Sequence, residues 1–317
     1  MTIWAGTMDL GVVHALAFPE CRGGEGPVIE TLNQIVDDAD FGAVEIAPVR
    51  DPAIRERARA LLSWSGLQVV YLPILPMLFD GIEIASDDPE RRDVARQRLH
   101  DLIDEAISFD STLAMIGTPP DPGPDRRSPV FERLVEDIRE LCDYADSQPT
   151  NRRLHITLEP FDRDIEKKRL IGPTIEAAAL ADTVDRENFG LTVDLSHLPL
   201  LGETSAQAIG AAGRHLIHAH IGNCVIDDPG CPFFGDFHPR FGHPQGRNDG
   251  PEIVEYLRQL DAHGYWENAR SRLAATPILS MEVKPNQIDN ESSGAILANG
   301  KRTFSRAWAH VRKDRLA

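Results

Sequence analysis

The sequence predicts a (β/α)8 barrel of the α/β class, and three observations carry that expectation. Short β-branched or apolar runs alternate eight times with longer amphipathic stretches, as repeated strand–helix units on a parallel sheet do. No shift of composition interrupts the alternation, so a closed barrel fits better than an open doubly wound sheet. No G-x-G-x-x-G follows any run, which counts against a dinucleotide-binding sheet.

Strands are expected at residues 3–7, 43–47, 68–72, 113–117, 155–159, 191–194, 217–221 and 278–283. Between them, VIETLNQIVDDA, AIRERARALLSWSG, RRDVARQRLHDLIDEAISF, VFERLVEDIRELCDYA, TIEAAALADTV and EIVEYLRQLDAHG repeat apolar residues at helical spacing. The stretch SSGAILANGKRTFSRAWAHVR supplies a closing helix. Two smaller domains would need a linker. The best candidate, TPPDPGPDRRSP, reads more simply as a rigid loop at the barrel mouth. Residues 1–317 are therefore expected to form a single barrel, with a long irregular loop at 222–250 after the seventh strand. Loops of that length in compact domains are usually lids or binding loops.

The 317 residues are 42% hydrophobic and carry a net charge of −17. That charge repels phosphate backbones and anionic membranes, so neither nucleic acid nor a membrane is an expected partner. The first residues, MTIWAGTMDLGVVHALAF, lack a basic leader, and no run of about 18 apolar residues occurs, so a cytoplasmic location is expected. Cys21, Cys142, Cys224 and Cys231 form no C-x-x-C pair and read as free thiols. A zinc site at Cys224 and Cys231 would need two more soft ligands nearby.

In such barrels the active site lies at the C-terminal ends of the strands. Four successive strands end in a metal-competent residue: Glu159 in HITLEP, Asp194 in LTVDLSH, His220 in HAHIGN and Glu282 in SMEVKP. Three carboxylates converging on one axis repel one another, and a divalent cation resolves the conflict. Three oxygens and one nitrogen suit Mn²⁺, or Mg²⁺ or Co²⁺, better than a thiolate-rich zinc site. Taken singly each residue has a plainer explanation. A Glu can be solvated, Asp194 can cap a helix, and His220 can be a hydrogen-bonded interior histidine. One per successive strand end is harder to explain that way.

Secondary candidates surround this set. His197 follows Asp194 by three positions and would bind a substrate hydroxyl or support the ligands. Lys284 would polarise a carbonyl or pair with a carboxylate. His218 and His155 point deeper into the barrel. Glu45 would orient His197 or act as an ordinary buried pair partner. His238, Arg240 and His243 would cover substrate, or simply belong to a loop packed by Phe233, Phe234, Phe237 and Phe241. The run DRDIEKKR reads as a solvated loop and helix start.

The segments LEP, VDLSH, HAHIGNC and MEVKP, in this order and spacing, resemble the xylose-isomerase-like barrel superfamily of sugar isomerases and epimerases. The resemblance spans essentially the whole chain. In the ketose 3-epimerase branch the matching residues bind a manganese-type ion. This implies metal binding by Glu159, Asp194, His220 and Glu282, with Glu159 and Glu282 as the catalytic acid/base groups. It also implies substrate binding by His197, which matches a D-x-x-H pattern. That branch places an Arg where this chain has Ile226 and a Glu where it has Ile165.

The segment GDFHPRFGHPQGRNDG and the ending EVKP…ILANGKRTFSRAW instead resemble the α subunits of C-glycoside deglycosidases. Those enzymes act on 3-oxo-glucosyl substrates with a small β-sheet partner subunit, and a His near the metal is the expected base. His197 or His243 would fill that role, with Lys284, Arg240 and His243 binding substrate. The expected function is thus a metal-dependent carbohydrate enzyme working through an enediolate, first as a C-glycoside lyase. The alternative is a ketose 3-epimerase, and a non-catalytic sugar-binding protein is an alternative of another class. An abasic-DNA endonuclease shares the architecture, but it uses a three-metal cluster and a basic groove. An oligomer is expected because barrels of this kind commonly assemble.

Overall fold

A computed structural model of the chain describes residues 2–286 and 288–316, with the side chains of residues 313–316 left aside. Eight parallel strands form one sheet: β1 (Asp9–Val12), β2 (Ala43–Ile46), β3 (Gln68–Tyr71), β4 (Leu113–Ile116), β5 (His155–Leu158), β6 (Phe189–Asp194), β7 (Leu216–Gly222) and β8 (Ile278–Glu282). Each pairs with its sequence neighbour from β2 to β8, and β8 then pairs with β1. Between β1 and β2 the ring is drawn together by the Gly42 N–H donating to the Leu10 carbonyl at 2.9 Å and by a parallel bridge from Val13 to Glu45. The chain is a nearly closed (β/α)8 barrel, as its alternation predicts.

Seven strands fall where expected, to within two or three residues at each end. The first does not. Residues 3–7 form turns, and the strand is Asp9–Val12. The apolar residues that suggested a strand serve another contact. Trp4 meets Phe304 edge to face with ring centroids 5.1 Å apart, and the Trp308 indole donates to the Ile3 carbonyl at 3.1 Å. Both partners lie on the closing helix Ser293–Leu316, so residues 3–4 tie the chain start to its last helix.

The principal helices begin where the sequence supplies caps. Asp51 accepts the N–H groups of Ala53 and Ile54 ahead of Pro52–Ser65, and Asp88 does the same for Glu90 and Arg91 ahead of Pro89–Ser108. Each has Pro at its start, where the missing N–H costs nothing. Val28–Val36, Arg127–Ser147, Thr174–Val184 and Gly250–Ala262 complete the expected set. The structure adds short helices at His14–Ala17, Ile74–Phe79, Leu198–Leu201, Ser205–Ala212 and Tyr265–Leu273. These are too short or too uniformly apolar to show a helical period.

The loop at 222–250 is pinned to the barrel top. Asn248 Nδ2 donates to the carbonyls of Leu195 and Gly222, both at 3.0 Å, and Asn223 Nδ2 donates to the Arg240 carbonyl at 3.0 Å. Among the described residues no helix is long and apolar enough to cross a membrane.

Candidate metal centre

The strand register gathers the four expected ligands. Asp194 ends β6 and lies beside His220 of β7, while β8 sets Ser280 beside His220 and Glu282 beside Gly222. Glu159 follows the last residue of β5. One ligand atom from each of the four lies within 4.8 Å of the others, and all four residues are buried. His220 Nδ1 stands 2.8 Å from Glu282 Oε1 and 3.4 Å from Glu159 Oε1.

The electrostatics of this cluster are unfavourable as they stand. Burial raises the Glu159 carboxyl to about 7, a shift that the neighbouring Glu282 charge reinforces and His197 and His220 oppose. Burial also raises Asp194. It pushes Glu282 the same way, but His238 and His220 outweigh it and leave that carboxyl below its usual range. Glu159 Oε1 and His220 Nδ1 are buried without a hydrogen-bond partner. Buried polar atoms are seldom left so, because each costs its lost hydration. Acceptors aimed at one point, three oxygens and a nitrogen, are the donor set of a hard dication. The residues fit a divalent metal ion.

A buried carboxylate fixes how His220 is presented. Glu45 Oε1 lies 3.0 Å from His220 Nε2 and 2.7 Å from His218 Nε2. An Nε2–H donating to Glu45 leaves the Nδ1 lone pair for the cluster, the arrangement by which carboxylates orient metal-binding histidines. Burial opposes ionisation of Glu45, but the two histidines prevail and hold its carboxyl well below the usual range. Glu45 therefore serves His218 and His220 rather than His197.

A second acidic and imidazole cluster adjoins the first, and Asp236 is the member the sequence reading missed. Its Oδ2 lies 3.2 Å from His197 Nε2 and its Oδ1 lies 3.1 Å from His238 Nε2. His238 Nε2 also stands 3.2 Å from Glu282 Oε2, joining the two clusters. Lys167 Nζ lies 3.4 Å from Asp236 Oδ2 and 2.8 Å from Glu166 Oε1. The available signal was the D-x-H spacing in GDFHPR. It sits in a loop, where neither period nor strand end marks it.

His197 Nδ1 lies 3.1 Å from the Pro160 carbonyl, to which only an N–H can bond. Burial would lower the His197 pKa, but Asp236, Glu159 and Asp194 outweigh it and hold the ring well above its ordinary value. His238 is raised to about 9, with Asp236 and Glu282 overcoming its burial.

Above the carboxylates is a cavity of about 190 Å³. Its lining is in part polar, with Glu159, Glu282, His197, Asp236, His238, Lys167 and Lys284, and in part apolar, with Leu72, Ile74, Leu75, Leu78, Met115 and Phe161. Lys284 thus reaches the cavity, as expected. Two other candidates do not. Arg240 is engaged by Glu291 Oε1 at 2.8 Å and by the Phe241 and Gly242 carbonyls, while His243 packs edge to face on Phe233. Neither side chain is among the residues that line this cavity. His155 lies at the opposite barrel end, among Arg153, Arg272 and Asp182. The four cysteines are buried and free.

The sequence pattern described as the xylose isomerase-like TIM barrel matches residues 34–269. The chain belongs to this family. The expectation of an enzyme holds with it. No curated protein sequence matches this xylose isomerase-like chain. Among solved structures it is similar to a D-psicose 3-epimerase with D-tagatose from Clostridium cellulolyticum H10, with a TM-score of 0.68, 19% identity, and coverage of 96% of this chain and 99% of that one. A D-tagatose 3-epimerase-like protein superposes with a TM-score of 0.73 at 17% identity, covering 98% of this chain and 100% of that one. An AP endonuclease, family 2, from Brucella melitensis gives 0.65 at 17% identity, covering 92% and 97%. At such identities these likenesses bear on the fold.

Proposed function

We propose that this protein is a divalent-metal-dependent isomerase or epimerase of hydroxy-ketone sugars, of the ketose 3-epimerase type. One observation carries the reading: Glu159 and Glu282 belong to the four-ligand cluster and also line the cavity above it. A metal ion bound there would polarise a carbonyl and its neighbouring hydroxyl, lowering the cost of an enediolate.

The chain's own residues then divide the work. Glu159 and Glu282 move the proton on the carbon beside the carbonyl, one from each side. His197, held at Nδ1 by the Pro160 carbonyl, turns its Nε2–H toward a substrate oxygen, and the neighbouring Asp236 keeps the ring charged. Lys284 supplies a positive charge to the same cavity. Residues 1–317 act as one unit in this reading. Mn²⁺ is the ion we favour, with Mg²⁺ or Co²⁺ able to occupy the same donor set.

The C-glycoside lyase, with its small β-sheet partner subunit, is the second reading. The apolar lining from Leu72 to Phe161 favours it, because an aglycone is apolar. The cavity size weighs against it, since pockets for drug-sized ligands run from about 300 Å³ upward. An endonuclease is disfavoured by the net charge of −17.

The deciding experiment loads the purified protein with Mn²⁺, measures bound metal, and follows exchange of the C3 proton of D-fructose and D-tagatose in D2O by NMR. About one equivalent of metal, lost in Glu159→Gln and Glu282→Gln, together with exchange in the parent, is the expected result. A protein that takes up no metal, or that holds metal and exchanges no sugar proton, overturns the reading.

A further inference from the structure

Two cations stand on exposed aromatic rings at the mouth of the cavity. The Arg22 guanidinium lies 4.3 Å from the centroid of Phe79, and Lys284 Nζ lies 5.4 Å from the centroid of Phe237. Phe79 is 55% exposed and Phe237 is 39% exposed. Among the described residues neither cation pairs with a carboxylate. The surrounding basic groups do: Lys167 with Glu166 and Asp236, and Arg50 with Asp80. Arg22, Leu75 and Phe79 also line a second groove of about 400 Å³ that holds Arg98 and the Arg50–Asp80 pair, so the cavity opens onto a larger groove at Arg22.

We propose that the substrate carries an anionic group, a carboxylate or a phosphate, at the end away from its reacting carbons, held between Lys284 and Arg22. This inference rests on the hydroxy-ketone reading above. On a chain with net charge −17, two unpaired cations at the mouth of a cleft focus the local field toward anions that the surface as a whole repels. Lys284 is only partly exposed, and a partly desolvated ammonium gains most from an anionic partner. The apolar lining, Leu72, Ile74, Leu75 and Leu78, has no side-chain hydrogen-bonding group for sugar hydroxyls. The two cations are what remains to hold that end of the molecule.

The test compares C3-proton exchange by the Mn²⁺-loaded protein on neutral ketoses (D-fructose, D-tagatose), keto-uronates (D-fructuronate, D-tagaturonate) and D-fructose 6-phosphate. Alongside, calorimetry compares binding of D-gluconate with its neutral counterpart D-glucitol. We expect kcat/KM to favour one acidic class by about tenfold or more, and Lys284→Gln and Arg22→Gln to reduce that ratio by a similar factor, as loss of a charged hydrogen bond does. The class preferred separates carboxylate from phosphate. Neutral ketoses exchanged as well as the acids overturn this inference and leave the hydroxy-ketone reading intact. A Lys284→Gln effect equal on acidic and neutral sugars also overturns it, because the ammonium then serves the reacting oxygen. If no sugar exchanges, the hydroxy-ketone reading fails by itself, and gluconate bound no more tightly than glucitol overturns the anion site as well.

Discussion

Glu45 on β2 accepts from Nε2 of His220 across the barrel interior at 3.0 Å, while Nδ1 of the same ring stands 2.8 Å from Glu282 Oε1. One imidazole thus links a fully buried carboxylate to the ligand cluster, and Glu45 decides which nitrogen faces the metal. Glu45→Gln keeps the size but removes the negative charge, leaving an amide oxygen that is a weaker acceptor for the two rings. We expect metal affinity to fall by about 10- to 100-fold, the usual cost of losing a partner that orients a ligating histidine. Competition titration with a chelating dye measures it. Affinity equal to the parent's would show that His220 is oriented without Glu45.

Two buried histidines outside the ligand clusters are expected to make the fold acid-sensitive. His14 Nε2 bonds the Thr31 hydroxyl at 2.8 Å, and burial lowers its pKa to about 4; burial likewise lowers His155 to about 4. Their unfolded value is 6.5. A depressed folded pKa means the stabilisation is fully present above 6.5 and is lost as pH falls toward 4. Between pH 7 and pH 5 each ring then costs about 2 kcal/mol, taking 1.36 kcal/mol per unit over about 1.5 units. Urea unfolding of the metal-free protein at both pH values is the measurement. In His14→Gln or His155→Gln the drop is expected to shrink by about 2 kcal/mol, an upper figure if the site relaxes. An unchanged drop in both variants would place the acid sensitivity elsewhere.

The parts of the site that the sequence discloses are those tied to regular structure. Glu159, Asp194, His220 and Glu282 each sit at or near a strand end, and strand ends in a parallel barrel converge, so their gathering was legible in the sequence. Asp236 and His238 lie in a loop, where position depends on tertiary bonds such as Asn248 to Leu195 and Gly222. The same loop turns Arg240 toward Glu291, a choice no local pattern records. The first strand was misplaced because Trp4 is apolar for a helix three hundred residues away, a contact invisible to a short window. The true strand, Asp9–Val12, contains a glycine that weakens its own signal.

That glycine is required by the barrel interior. Gly11 on β1 pairs with Ser280 on β8, and a Cβ at Gly11 would come 2.2 Å from Ser280 Oγ and 3.2 Å from Ile278 Cγ2. Neither strand can retreat, since each is paired on its other side or closed against β2. Gly11→Ala is therefore expected to destabilise the protein by about 1–3 kcal/mol through overpacking. Ser280 Oγ is buried without a hydrogen-bond partner, so Ser280→Ala alone is expected to be neutral or mildly stabilising. Combined with Gly11→Ala it should recover part of the loss, the remaining 3.2 Å approach to Ser280 Cβ keeping the rescue incomplete. Denaturation midpoints of the two single variants and the double variant decide it. A Gly11→Ala protein as stable as the parent would mean that β1 and β8 sit farther apart than this register places them.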